Sequence, residues 1–162
     1  MDYYQGVVYD YLQQVDGAMF IKAECPIQLD EGKIPPKGTS WICDALAVNL
    51  REHKAYLCEV SYSNTLHALA KRLEEWSKEW PRLRAAIVRD LSIPKEWDVQ
   101  PWLFVPAHLR EKLDTKLLAL ANSSSNVGTA AMPTPRVDSL ESVAPWNYKP
   151  FSLTSGEKKP DA

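Results

Sequence analysis

The chain has 162 residues, 45% of them hydrophobic, and a net charge of −2. That is enough for one domain with an ordinary core, and the charge balance by itself does not announce nucleic acid. No apolar run approaches the roughly 18 residues of a membrane span, the opening MDYYQG lacks the basic start of a signal peptide, and Cys25, Cys43 and Cys58 have neither CxxC nor zinc spacing. The expectation is therefore a cytoplasmic protein with reduced thiols and no membrane contact.

Asp2 to Val15 reads as a helix, with Tyr4, Val8, Tyr11, Leu12 and Val15 at helical spacing and Asp2 able to cap the start. Its tyrosines are expected as core and rim rather than as a stacking platform. Asp16-Gly17 reads as a turn. Ala18 to Gln28 alternates, with Met19, Ile21, Ala23, Cys25 and Ile27 on one face and Lys22 and Glu24 on the other. Asp30 to Gly38, DEGKIPPKG, reads as a loop because its prolines and glycines oppose a regular element.

Trp41 to Tyr62, WICDALAVNLREHKAYLCEVSY, reads as two strands joined by a polar turn over Arg51, Glu52, His53 and Lys54. Each strand holds one acid in an apolar run, Asp44 in the first and Glu59 in the second. A buried carboxylate costs several kcal/mol unless it is compensated. If Leu50 pairs with Ala55, Leu46 faces Glu59 and Asp44 faces Ser61, which puts Asp44, Glu59 and Ser61 on one face. Two close carboxylates in a dry place hold a proton or a cation between them, and oxygen ligands suit Mg²⁺ or Mn²⁺. The plainer alternative is that both acids bond to a nearby turn or helix end.

Ser63-Asn64-Thr65 signals a helix start, and the helix is expected to run to about Glu79 with Leu66, Leu69, Ala70, Leu73, Trp76 and Trp80 as its apolar stripe. Lys71 points away from that stripe, so it reads as a phosphate contact or a solvated charge. Pro81 opens a further helix through Leu91, although Ala85 to Arg89 also fits a strand. Val99 to Val105 reads as a strand and Ala107 to Ala121 as a helix. From Asn122 onward Ser, Pro, Thr and Ala dominate, with one apolar island at Trp146, Tyr148 and Phe151. The expected organisation is an α/β domain over residues 1–121 and a flexible tail over 122–162.

The hairpin with Asp44 in one strand and Glu59-Val60-Ser61 in the next, followed by an amphipathic helix, resembles the PD-(D/E)XK nuclease superfamily. The resemblance spans roughly Asp2 to Val105. It implies a restriction-endonuclease-like αβββαβ core, a mixed central sheet flanked by helices, and cleavage of DNA or RNA with Mg²⁺ or Mn²⁺ held by Asp44 and Glu59. The pattern's lysine is replaced by Ser61, and Cys43 stands where the pattern has proline. Ser61 would at most orient water. Lys22 is the candidate to supply the missing cation, beside the plainer reading of a surface Lys22–Glu24 pair. Gln5 is the one residue of the first helix that matches the acid or Gln found near the metal in that family, and a solvated glutamine is the plainer reading. A homodimer is a further expected partner. The alternative reading is a non-catalytic nuclease-fold binding or interaction module.

Overall fold

The expected first helix is α1, Tyr3–Val15. Its start is a reciprocal capping box: the Asp2 carboxylate accepts from the Gln5 backbone N–H, and the Gln5 Oε1 accepts from the Asp2 N–H, each at 2.9 Å. In this computed structural model the described residues are 1–15, 19–30, 40–124 and 131–147. The expected Asp16-Gly17 turn, most of the Asp30–Gly38 loop, and Tyr148 and Phe151 lie outside them.

After α1 come β1 (Met19–Gln28), β2 (Ser40–Asn49) and β3 (Lys54–Val60). Then follow α2 (His67–Lys78), α3 (Trp80–Leu91), β4 (Asp98–Val105), α4 (Arg110–Ser123) and β5 (Arg136–Ser139). The segment open to either reading at Ala85 to Arg89 is helical, and Pro81 sits in the first turn of α3, where its missing N–H costs nothing. Strand order in the sheet is β1-β2-β3-β4-β5. The first three strands form an antiparallel meander, while β3, β4 and β5 run parallel. The described residues thus form an α/β fold with a five-stranded mixed sheet. None of the described helices is long and apolar enough to cross a membrane.

Each face of the sheet is covered. Val8 and Leu12 of α1 pack on Ala45, Ala47, Tyr56, Cys58, Trp102 and Phe104. On the opposite face Leu69, Leu73 and Trp76 of α2, Leu83 and Ile87 of α3 and Leu113 of α4 cover Leu46, Leu57 and Leu103. β3 is buried along its middle, as a strand between two covered faces must be. Within the segment expected as a tail, Arg136–Ser139 extends the sheet and Leu140 and Val143 are buried against the α1 side.

The β2–β3 register differs from the expected one. Leu46 pairs with Leu57, and Asn49 pairs with Lys54. The cause is Asn49, whose buried side-chain oxygen accepts from the N–H groups of Arg51 and Glu52, both at 3.0 Å. This local Asn turn starts the loop at Leu50, and His53 closes it with φ 53°. The shift is two residues, so which face each β3 residue takes is unchanged.

A second departure lies at Asp44. Cys25 and Cys43 join the core under α2 and α3, whereas Ala45, Ala47, Met19 and Ile21 join the core under α1. In regular strands residues two apart share a face. Here the alternation slips in both strands at one level, between the pairs Ala23–Ala45 and Cys25–Cys43. Glu24, between those β1 partners, has φ 48°. The single apolar face expected from Met19 to Ile27 is therefore divided between two cores by this irregularity.

Candidate functional site: two acids at the end of a hairpin

The slip at Asp44 frees its carboxylate to enter the gap where β2 leaves β3. Asp44 Oδ2 accepts from the Val60 backbone N–H at 2.8 Å, in place of a ladder partner from β2. Asp44 Oδ1 accepts from Gln5 Nε2 at 2.6 Å. The capping box has already turned the Gln5 amide oxygen toward Asp2, which leaves its N–H₂ to face Asp44. A local capping motif thus aims a side chain at a residue far along the chain.

Glu59 lies next to Val60 and is only 4% exposed. Its carboxylate faces α2, where Arg72 Nη1 reaches both oxygens at 2.7 and 2.8 Å. The Glu59 carboxyl is pushed up to about 8, first by burial and next by the negative charge of Asp44, with Arg72 opposing both. A proton is therefore held at Glu59 near neutrality despite a guanidinium beside it. At Glu59, burial and the charge of Asp44 together outweigh the opposing pull of Arg72.

The four sequence candidates fare differently. Asp44 and Glu59 are brought together. Ser61 follows the end of β3, half-buried, with its N–H bonded to the Phe104 carbonyl at 3.0 Å. Lys22 is not brought in: it is exposed on β1 opposite Leu46, with β2 between it and Glu59. The cation near Glu59 is Arg72, which the sequence reading missed. The signal was present. Arg72 lies three residues after Leu69 and four before Trp76, on the flank of the buried stripe, whereas Lys71 is exposed. Gln5 reaches Asp44, so the plainer reading of a solvated glutamine does not hold.

Among the described residues no group of three or more His, Cys, Asp or Glu side chains converges. The donor set is two carboxylates with an amide beside them. Hard oxygen donors in that number suit Mg²⁺ or Mn²⁺, which keep several waters and take further oxygens from substrate phosphate. The residues offer such an ion the right donor type, and a cation there would share the Glu59 oxygens with Arg72 and the Asp44 oxygens with Gln5 and Val60. Comparison of the chain with protein-family models, with curated proteins and with solved structures finds no match.

Proposed function

We propose that this chain is a metal-dependent phosphodiesterase of the PD-(D/E)XK kind acting on DNA or RNA. The observation that carries the reading is the meeting of Asp44 and Glu59, from neighbouring strands, in a place too poor in water and positive charge for both to ionise freely. The order of helix, three strands, helices and strand agrees with the αβββαβ core that the resemblance implies. Gln5 on the first helix supports it further.

In this reading Asp44 and Glu59 hold Mg²⁺ or Mn²⁺, which when bound supplies an acidified water and positive charge beside the phosphate. Gln5 and the Val60 N–H orient Asp44. Arg72 brings a permanent positive charge to the site where the strand has Ser61. A guanidinium whose side chain is 42% exposed on the site's rim has donors left to bond a phosphate oxygen. Lys22 stays exposed on β1, with β2 between it and Glu59.

A second reading, a nuclease-fold module without turnover, is favoured by one observation. Arg72 already satisfies both oxygens of Glu59, so the acids have a counter-charge of their own. The experiment that separates the two is titration of Mn²⁺ into wild type and Asp44→Asn by calorimetry, followed by incubation with labelled DNA and RNA. Binding and cleavage that both vanish in the variant establish the enzyme. A folded wild type that neither binds Mn²⁺ nor cleaves any strand, with or without the nucleic acid present, establishes the module.

A further inference from the structure

Four aromatic side chains that the core does not use, Tyr3, Tyr4, Tyr62 and Trp146, gather at one end of the sheet. Tyr3 is 74% exposed, Tyr62 49% and Trp146 80%. With Tyr4, His108 and Leu140 they line a cleft of about 440 Å³. Tyr62 follows β3, His108 follows β4 and Leu140 follows β5, so the cleft lies at the carboxyl ends of all three parallel strands. That is the end at which open α/β sheets receive ligands.

The three tyrosine rings are held in place before anything binds. Tyr4 and Tyr62 pack with centroids 4.7 Å apart, and Tyr3 meets Tyr4 edge-on at 5.4 Å. The Tyr62 hydroxyl donates to Asp2, 3.1 Å away. Asp2 is the cap that orients Gln5, and Gln5 donates to Asp44. Tyr62 is also two residues beyond Val60, whose N–H holds Asp44, a distance of about 7 Å along extended chain. The platform and the acids are thus built from the same two segments, Asp2–Gln5 and Val60–Tyr62.

Its chemistry differs from that of the acids. Among the described residues no Lys or Arg lines the cleft, and the one acid there, Glu141, accepts from the Ala107 N–H at 2.8 Å. Such a surface has little to offer a phosphate. It offers ring faces, on which bases stack with little regard to sequence. An intact duplex keeps those faces covered by its own stacking. We propose that this cleft is a base-stacking subsite for single-stranded nucleic acid, seating one or two unpaired bases beside the phosphodiester at Asp44 and Glu59. The inference rests on the phosphodiesterase reading and names its substrate as an unpaired strand.

The test measures binding of a fluorescently labelled 12-nucleotide oligothymidylate to the full chain by anisotropy, in Ca²⁺. Its comparators are the matching duplex and a strand of the same length and charge in which abasic residues replace the thymidines. Single-strand binding is expected to weaken about 5- to 100-fold in Tyr3→Ala and in Trp146→Ala, both exposed positions. Trp146→Phe should restore most of the loss. The abasic strand should bind weakly to every form of the protein and be indifferent to these substitutions. Equal binding of the thymidylate and abasic strands, tighter binding of the duplex, or no effect of either alanine variant overturns the subsite. So does a wild type that binds no strand at all. Cleavage that depends on Asp44 but not on Tyr3 or Trp146 overturns the subsite and leaves the phosphodiesterase standing. Ring-dependent binding without any metal-dependent cleavage does the reverse.

Discussion

Asp44 takes the backbone N–H of Val60 as its partner, 2.8 Å from Oδ2, at the point where the β2–β3 ladder ends. One carboxylate therefore terminates a sheet pairing and faces a second carboxylate at the same time. These two tasks separate under mutation. Asn keeps a side-chain oxygen for Val60, gives up the acceptor for Gln5 Nε2 and removes the charge. Ala removes both oxygens and leaves the N–H without its acceptor, which costs about 1–3 kcal/mol where water cannot replace it. Asp44→Asn should melt within a few degrees of wild type and lose cleavage. Asp44→Ala should lose cleavage and also melt measurably lower. Equal melting of the two variants would show that the Val60 bond contributes nothing to the hairpin.

Glu59 should make the protein less stable as pH rises. Its carboxyl titrates at about 8 in the folded chain against an ordinary value of 4.5. Between those values the folded state binds a proton that the unfolded state has released. Stability from this group is complete below about pH 4.5 and is lost as pH rises through 8. The span corresponds to on the order of 3–5 kcal/mol. Glu59→Gln cannot ionise. In EDTA, its melting temperature should change little from this site between pH 5 and 9, while that of wild type falls. The two curves should diverge most above pH 8, with Glu59→Gln the more stable. Parallel curves would mean that Glu59 is ionised throughout.

Arg72 is the complementary case. At pH 9 Glu59 is charged and its partner matters. At pH 5 Glu59 is protonated and the guanidinium has less to offset. Arg72→Met should therefore destabilise more at pH 9 than at pH 5, by roughly 1–2 kcal/mol, the modest size reflecting a cation that is partly in water. Mn²⁺ offers the same charge compensation from solution, so it should raise the melting temperature of Arg72→Met at pH 8 more than that of wild type. A loss independent of pH would assign Arg72 to packing of its aliphatic stem against α2's neighbours instead.

Much of this could be read in the chain before the structure. The two acids, their strands and the helix order followed from alternation and helical spacing, because those periods report directly which face is buried. Three things were not legible for definite reasons. The hairpin register depended on the Asn49 side chain bonding two turn N–H groups, a local choice that an apolar pattern does not record. The face switch at Glu24 and Asp44 breaks the period that the reading assumes. Arg72 and its neighbour Lys71 carry the same charge, and only the helical angle tells them apart: Arg72 lies on the flank of the stripe and Lys71 is exposed. Gln5 on an exposed helix start reads as solvated, and its role follows only from the Asp2 N–H turning its amide.

Residues 131–147 add an edge strand to the sheet and close the core beside α1. Composition made this stretch read as a tail, yet β5 pairs along β4 from Trp102 to Val105. The pairing is reinforced by side chains: Trp102 Nε1 donates to Asp138 at 2.7 Å, and the Arg136 guanidinium lies 3.8 Å from the Trp102 ring centre. Leu140 and Val143 then close the core over α1. A chain ending at Ser124 would leave β4 as an open edge carrying buried Trp102 and Phe104, which is a template for self-association. Truncation there should lower the melting temperature by at least about 10 °C or give aggregated protein, a loss of several kcal/mol for a domain of this size. Asp138→Ala in the full chain should cost about 1–2 kcal/mol through the stranded indole N–H. A truncated chain that stays monomeric and melts as wild type would show that the sheet is complete with four strands.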